Sequence, residues 1–289
     1  MRYVRWMSVL LCAASLSGCE GVLDPKGPIA DAELKILFDS TGIMLAIVVP
    51  TMLATLGVAW WFRASNPRAR YLPNWDYSGR LELLVWSIPV MTILLVGGVA
   101  ALGSYDLDPP KPIASQVKPV RVQVVSLDWK WLFIYPDEGI ATVNRLTVPV
   151  GTPISFELTS SGVMNSFFVP QLGSQIYTMS GMVTRLNLQA DYAETFRGIS
   201  ANYSGAGFSD MHFDVEAVPA ESFAQWVQSA RSTGPMLDAQ AYAELAKPSQ
   251  AVAPITYSSV ASDLFGSIVN TGMHAHEASA HIHSQRAEQ

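Results

Sequence analysis

Two long apolar runs without a charged residue constrain this chain more than any other feature. The first extends from Ile43 to Phe62 and the second from Leu83 to Leu102. A helix of about 20 apolar residues is long enough to cross the ~30 Å hydrocarbon core of a bilayer. Each run contains a proline, Pro50 or Pro89, which helices in a membrane tolerate when neighbouring helices pack against the kink. The sequence therefore predicts transmembrane helices at 43–62 and 83–102.

The segment between the two runs, residues 63–80, is basic. Its charged residues are four arginines and one acid: Arg63, Arg68, Arg70, Arg80 and Asp76. The flanks on the far sides of the runs carry fewer cations. Because short basic loops stay in the cytoplasm, we expect 63–80 to be cytoplasmic and both chain ends to be periplasmic.

The N-terminus has the features of a bacterial export signal over residues 1–18. Arg2 and Arg5 precede a short apolar stretch, and small residues follow it. Leu16-Ser17-Gly18-Cys19 resembles the lipobox of lipoproteins, which implies that Cys19 is acylated, with palmitate among its lipids. An ordinary signal peptide with a chance cysteine remains the alternative. In the lipoprotein interpretation the chain is a multi-pass lipoprotein of the inner membrane, and residues 19–42 form an outer N-terminal segment.

Charge and cysteine content exclude two classes of function. The formal net charge is −6, and removal of Arg2 and Arg5 with the signal gives −6 − 2 = −8. A chain this acidic is a poor binder of nucleic acid. Cys12 leaves with the signal, so a lipidated Cys19 would leave the mature chain without a disulfide or a thiolate metal site.

Residues 112–218 predict an outer β domain, which follows a stiff proline-rich exit from the second span. Side chains alternate between apolar and polar over three segments: Val120 to Leu127, Met182 to Gln189 and Met211 to Val218. Two further apolar segments, Ile140 to Val150 and Ile154 to Thr159, are bounded by Gly and Pro. Several short strands at this spacing indicate a β-sandwich or barrel.

Helical periodicity returns in a C-terminal arm, residues 219–272. Phe223, Trp226, Val227 and Ala230 share one helical face after Pro219. Asp238 is a candidate cap for a second helix. Ser262 is a candidate cap for a third, which would end near Gly272. We expect residues 273–289, which are polar and rich in histidine, to be a disordered tail.

Four short motifs in the outer domain resemble those of subunit II of the haem–copper respiratory oxidases. They are Ser126 to Trp131, Asn165 to Pro170, Gln171 to Tyr177, and the glycine-rich loop Asn202 to Phe213. The likeness extends from the lipobox to about Gly272 and is nearest to the bo-type ubiquinol oxidases. It implies a membrane-anchored α+β chain: a two-helix transmembrane hairpin, a cupredoxin-like β-barrel and short C-terminal helices.

In the copper-bearing branch of that family, six side chains hold a dinuclear copper centre. Its ligands come from His-Ser-Phe and from Cys-x-Glu-x-Cys-x-x-x-His-x-x-Met, because bridged coppers need thiolate, imidazole and thioether donors. The resemblance places these ligands at positions where none keeps its residue type: Asn165, Tyr203, Gly205, Gly207, Met211 and Asp214. We therefore expect no redox metal in this chain.

His212 is one residue away from a ligand position, but strand alternation argues against a shifted site. Met211, Phe213 and Val215 would share one face, and His212 would lie on the other. A slip by one residue would turn the whole apolar face outward. We expect His212 to be exposed and the loop to keep only a structural role.

The remaining candidate groups have weaker signals. Trp129 and Trp131 form an aromatic cluster on a predicted strand, and their side chains are expected to face the same way. In copper-bearing relatives, aromatic residues at this place lie where electrons enter from cytochrome c. Without copper, we favour a role in packing against the barrel or a partner subunit. Glu82, at the end of the second span, is either a solvated boundary residue or, by resemblance, at the entrance of a proton channel in the partner subunit. All five histidines lie outside the spans, so no haem ligand is available there. The two His-x-His pairs of the tail could bind Cu²⁺ or Zn²⁺ only weakly.

The resemblance implies subunit 2 of a proton-translocating ubiquinol oxidase, which couples ubiquinol oxidation to the reduction of oxygen in aerobic electron transport. Haems, copper and the ubiquinol site would belong to subunit 1. The partners would be subunit 1, further small membrane subunits and membrane lipid. Two alternatives remain: a copper-containing subunit II of cytochrome c oxidase, and a free-standing lipid-anchored scaffold or metal-handling protein.

Overall fold

The computed structural model describes residues 21–70 and 72–274. Cys19 and the histidines at 276, 281 and 283 lie outside this part of the chain. The described residues form two compact units. One is the helical unit, residues 32–108, and the other is the outer unit, which combines residues from Pro109 onward with the segment that ends at Asp31.

The helical unit is dominated by two long helices, α1 (Pro28–Trp61) and α2 (Gly79–Asp106). Their most apolar stretches have mean hydropathies of 2.1 and 2.2, and none of those residues is buried. The hydroxyl groups of Thr51, Thr55 and Thr92 donate to carbonyls one turn back, so these three polar groups are paired within their own helices. A bilayer is the solvent in which such a surface is stable. The chain is thus membrane-anchored.

Helix α1 begins at Pro28, well before the predicted start of the span at Ile43. A helix of this length extends about 50 Å, which exceeds the hydrocarbon core. The added N-terminal turns contain charged residues, among them Lys35, whose ammonium group contacts Asp39 at 3.4 Å. Hydropathy alone does not detect them because they continue the helix outside the apolar run.

The outer unit is built from 13 strands in the part of the chain described. They are β1 (Val120–Leu127), β2 (Lys130–Tyr135), β3 (Ile140–Val143), β4 (Arg145–Pro149), β5 (Ile154–Ser160), β6 (Asn165–Phe168), β7 (Ile176–Thr178), β8 (Thr184–Leu188), β9 (Thr195–Ser200), β10 (His212–Val218), β11 (Met236–Leu237), β12 (Ile255–Tyr257) and β13 (Ser259–Val260). They form a six-stranded sheet in the order β12-β3-β2-β1-β5-β8, a five-stranded sheet in the order β4-β10-β9-β6-β7, and the small pair β11-β13. The predicted cupredoxin-like fold class is confirmed.

The main core lies between the two large sheets and is rich in aromatic side chains. Phe167 of β6 stacks on Phe213 of β10 with ring centroids 5.0 Å apart, and it meets the edge of Trp131 at 5.5 Å. Phe133 and Phe156 complete the cluster from the six-stranded sheet. Offset and edge-on aromatic pairs of this kind add to the stabilisation that burial alone provides.

A second core covers the other face of the six-stranded sheet. Leu132 and Ile134 of β2 pack there with residues of the C-terminal arm, including Leu245, Phe265 and Ile268. Every residue of β2 is consequently buried. The alternation in β1 predicts one solvated face, but the C-terminal arm covers that face along half of the strand.

Asn144 divides the predicted strand Ile140 to Val150 into two strands that belong to different sheets. Its backbone adopts φ = 55°, a left-handed conformation that asparagine tolerates better than most residues. Its side-chain oxygen accepts a hydrogen bond from the Trp131 amide at 2.8 Å, and its side-chain nitrogen donates to the carbonyl of Val252 at 2.8 Å. These bonds satisfy the buried amide at the crossing point.

The C-terminal arm contains α3 (Ala220–Ser232), α4 (Ala239–Leu245) and a helix over 264–274, α5. The predicted apolar face of α3 packs on the main core, and the carboxylate of Asp238 caps α4 by accepting from the Ala241 amide at 2.8 Å. The predicted cap at Ser262 is wrong. Helix α5 starts after Asp263, which has φ = 57° and whose carbonyl accepts from the Ser267 amide at 3.0 Å.

The predicted disordered tail also begins too early, because Met273 and His274 are still helical. Gly272 lies inside α5 rather than at its end. A side chain there would meet the Gly181 amide nitrogen at 2.4 Å, so the absence of a side chain allows α5 to approach the backbone of the outer domain.

Candidate functional site

The glycine-rich loop joins β9 to β10 at one end of the five-stranded sheet. The two strands are antiparallel and their last pair is Ile199 with His212, so the loop closes a hairpin. Its centre is a single 3₁₀ turn, Phe208–Asp210. Asn165, at the start of the adjacent strand β6, lies beside the loop because the hydroxyl of Ser200 donates to its side-chain oxygen at 2.8 Å.

The six positions that the resemblance assigns to copper ligands do not present donor groups to a common point. Asn165 and Met211 are each 2% exposed and belong to the interior of the domain. Tyr203 is 75% exposed, and its ring meets only the edge of Phe208. Asp214 is an exposed residue of β10. Gly205 and Gly207 have no side chain.

The indole of Trp129 fills the space that side chains at the two glycines would need. A Cβ atom at Gly207 would lie 2.5 Å from Cγ and Cδ2 of Trp129, and one at Gly205 would lie 3.2 Å from its Cζ2. The ring is fixed by a hydrogen bond from its Nε1 to the carbonyl oxygen of Ser204, at 3.1 Å. Gly205 has φ = 111°, a conformation that other residues rarely adopt.

The dinuclear copper centre of the copper-bearing relatives therefore does not fit these residues. The loop provides no thiolate and no imidazole at the corresponding positions, and an indole lies where cysteine side chains would begin. Among residues 21–70 and 72–274, no three His, Cys, Asp or Glu side chains converge as metal ligands would.

The predicted placement of Trp129 and Trp131 on one face of a strand is wrong. Leu127 and Lys130 are the last pair of the β1–β2 hairpin, so Trp129 lies in a two-residue turn with φ = 64°. Trp131 is fully buried in the main core, whereas Trp129 turns out over the glycine-rich loop. Asp128, a residue typical of turns, was the available signal for this break.

Lys130, between the two tryptophans, is a buried residue that sequence reasoning missed. Its ammonium group donates to the carbonyl of Lys247 at 2.8 Å and to the hydroxyl of Ser249 at 2.6 Å. Burial lowers the pKa of Lys130, and the nearby charge of Asp128 only partly opposes this shift. The bonds attach the segment that contains Gln250 beside the loop, where the Gln250 side chain also packs close to Gly207.

The two remaining candidates are both exposed. His212 lies on the solvent side of β10, while Met211, Phe213 and Val215 are buried, so the predicted alternation is confirmed. Glu82 is in the first turn of α2, and its backbone amide donates to the Ser78 carbonyl at 2.9 Å. Within the described part of the chain, its carboxylate has no ion pair.

Two family models match parts of this chain. Residues 136–218 match the family described as cytochrome c oxidase subunit II, periplasmic domain, and residues 231–276 match the COX aromatic rich motif. A solved structure of the periplasmic domain of subunit II of cytochrome oxidase from Bradyrhizobium japonicum aligns with 22% identity over 41% of this chain and 98% of that chain, with a TM-score of 0.39.

Two relatives match almost the whole chain. Cytochrome bo(3) ubiquinol oxidase subunit 2 of Pseudomonas aeruginosa is 46% identical over 98% of this chain and 86% of its own length. Ubiquinol oxidase subunit 2 of Acetobacter aceti is 48% identical over 91% of this chain and 88% of its own length. The chain therefore belongs to the subunit 2 family of the cytochrome bo-type ubiquinol oxidases.

Proposed function

We propose that this chain is subunit 2 of a proton-translocating ubiquinol oxidase and carries no redox centre of its own. The observation that carries the proposal is the glycine-rich loop, where the indole of Trp129 lies against Gly207 and the copper-ligand positions hold no suitable donor. The names of the two relatives supply the substrate class.

The proposed division of labour follows from how the electron donor arrives. Ubiquinol reaches an oxidase through the lipid phase, so no docking site for a soluble cytochrome and no copper relay are needed on the outer domain. Haems, copper and the quinol site would reside in subunit 1. This chain would support assembly and cover the outer face of subunit 1, with further small subunits completing the complex.

The proposed topology has two spans within α1 and α2 and periplasmic chain ends. The arginines between the helices favour a cytoplasmic position for that loop. Lipidation of Cys19 after cleavage of residues 1–18 would add a second anchor on the periplasmic side of the inner membrane. In this proposal the outer domain covers residues 112–218, the C-terminal arm covers residues 219–272, and the tail follows the arm.

Oxygen consumption by the purified native complex tests the central proposal. We expect rapid turnover with ubiquinol and none above background with reduced cytochrome c. Co-elution of this chain with haem-containing subunits in mild detergent is expected at the same step. Turnover with cytochrome c would instead favour a copper-relay subunit, and elution as a lone monomer would favour a free-standing scaffold.

We further propose that Glu82 lies at the entrance of a proton-uptake path of the partner subunit. Its position at the end of an apolar helix, without an ion pair in the described part of the chain, supports this role. Glu82→Gln should slow turnover or proton uptake by the assembled enzyme several-fold. The matched control is Asp76→Asn, which changes an exposed acid in the loop just before α2 and should leave both rates unchanged. Wild-type rates in Glu82→Gln would remove the residue from the mechanism.

A further inference from the structure

The loop that follows α1 folds into a basic, aromatic cavity. The cavity has a volume of ≈ 720 Å³, and its lining includes three arginines and three apolar side chains: Arg63, Arg68, Arg70, Trp61, Leu72 and Trp75. All six belong to the helical unit, so the cavity needs no contribution from the outer domain. Neither the glycine-rich loop nor Glu82 contributes a residue to its lining.

Asn66 holds the cavity in shape. Its side-chain nitrogen donates to the carbonyl of Trp61 at 2.6 Å, which turns the chain back on the end of α1. Its side-chain oxygen accepts from the Arg68 amide at 3.2 Å, and its backbone amide donates to the Arg63 carbonyl at 2.9 Å. These bonds fix the backbone of two of the three arginines around one turn.

The charge of the cavity is uncompensated within the described part of the chain. Neither Arg63, Arg68 nor Arg70 forms an ion pair there, and the nearest acid in sequence, Asp76, does not line the cavity. The guanidinium of Arg63 stacks over the Trp60 ring at 4.9 Å, which orients it without neutralising it. Three exposed arginines that line one open cavity without an ion pair are complementary in charge to an anion.

The position of the cavity identifies the class of that anion. It adjoins the end of an apolar helix whose lipid-facing residues are unburied, and its two tryptophans are of the type enriched at the membrane interface. Guanidinium groups bind phosphate through paired hydrogen bonds. We propose that the lining residues of this cavity form a binding site for the headgroup of an anionic phospholipid, with the acyl chains lying along the apolar helices.

Photo-crosslinking in the native complex tests the site directly. The complex is reconstituted in phosphatidylcholine nanodiscs that contain a photoactivatable phosphatidylglycerol or, in a parallel sample, a photoactivatable phosphatidylcholine. Mass spectrometry should map the phosphatidylglycerol adducts to residues 61–75, with the phosphatidylcholine probe at background. Equal labelling by both probes, or crosslinks from these residues to a partner protein instead, would overturn the proposal.

Single substitutions distinguish a specific binding site from electrostatic attraction by the basic loop as a whole. A surface cation contributes attraction worth roughly fivefold in lipid binding, so Arg63→Gln, Arg68→Gln and Arg70→Gln should each weaken labelling about fivefold and the triple variant on the order of a hundredfold. The matched control is Arg80→Gln, which removes an exposed arginine in the first turn of α2 that does not line the cavity. The single variants keep most of the basic loop, so they test the site even where the triple variant fails to insert.

Two results would contradict the lipid assignment. Loss of labelling in Arg80→Gln equal to that in the cavity variants would show diffuse electrostatics rather than a site. Displacement of the phosphatidylglycerol probe by inorganic phosphate would show a site for a free anion. We expect neither, because free phosphate gains nothing from the apolar wall formed by Trp61, Leu72 and Trp75.

Discussion

The most apolar stretches of the two long helices contain no buried residue, whereas the outer unit buries its apolar side chains between two sheets and under a helical arm. Apolar side chains therefore contribute to stability in different ways in the two units. In the outer unit an apolar side chain stabilises the fold by leaving water. In the helical unit an apolar side chain contacts lipid or a partner helix, so its truncation should change the stability of the isolated chain only slightly.

Truncation of a core aromatic should give the largest effect. Phe167 contacts four aromatic rings, so Phe167→Ala should lower the free energy of unfolding of the outer domain by about 3–5 kcal/mol. The matched control is Phe38→Ala in α1, where the ring is 63% exposed and the expected change is within about 0.5 kcal/mol. Denaturant unfolding of the full chain in detergent, followed by near-UV circular dichroism, measures both. Similar losses of stability in the two variants would contradict the difference between the outer unit and the helical unit.

A smaller effect is expected where the glycine-rich loop meets Trp129. Gly207→Ala places a methyl group against the indole and should cost about 1–3 kcal/mol of outer-domain stability. Gly162→Ala is the matched control, because a Cβ atom there meets its nearest neighbour, Asp128, at an ordinary 3.6 Å.

A double-mutant cycle sharpens this test. In a Trp129→Ala background, Gly207→Ala should cost almost nothing, because the ring that opposes the methyl group is gone. Additive losses would show that Trp129 does not fill the space beside Gly207.

These regions also show what the sequence could and could not predict. The bounds of strand β1, the apolar face of α3 and the exposure of His212 were predictable because alternation and helical spacing are direct signs of strands and helices. The turn at Trp129 and the break at Asn144 were missed. Asp128 and Asn144 are residue types that favour turns, but the segments on either side of each continue the strand pattern. The hydropathy pattern likewise does not indicate that the C-terminal arm covers β2.

The candidate site divides in the same way. The residue types at the positions that the resemblance assigns to copper ligands could be read directly from the sequence, and none is a cysteine or a histidine. That Trp129 occupies the space beside Gly205 and Gly207 depends on a hairpin turn and on contacts over long sequence distances. Lys130 was missed because a lysine between two tryptophans on a strand gives no sign of full burial.

The smallest expected effect concerns an ion pair at the surface of the outer unit. The Arg121 guanidinium, which donates to Asp137 from Nε at 3.1 Å, lowers the pKa of that carboxyl below its ordinary 3.8, with help from Lys118. A lowered folded-state pKa stabilises the fold above the unfolded-state value, and this contribution is lost as the pH falls through the folded-state value.

Asp137→Asn should therefore cost at most about 1 kcal/mol at neutral pH, since exposed pairs are weak. The difference from wild type should disappear once the pH is well below 3.8. Unfolding curves at several pH values measure it, with Asp214→Asn, an exposed acid on β10 without an ion pair among the described residues, as the control. A difference that persists in acid would mean that the pair is not its source.

Copper binding by the purified full chain, separated from its partner subunits, tests the central claim most directly. The chain is incubated with copper, passed through a desalting column and assayed for retained metal and for a paramagnetic dinuclear signal. A variant with alanine at all tail histidines, residues 274, 276, 281 and 283, controls for weak binding by the tail. We predict that this variant retains no stoichiometric copper and shows no dinuclear signal. Two coppers per chain with a mixed-valence signal would contradict an outer domain in which Trp129 fills the space beside Gly205 and Gly207.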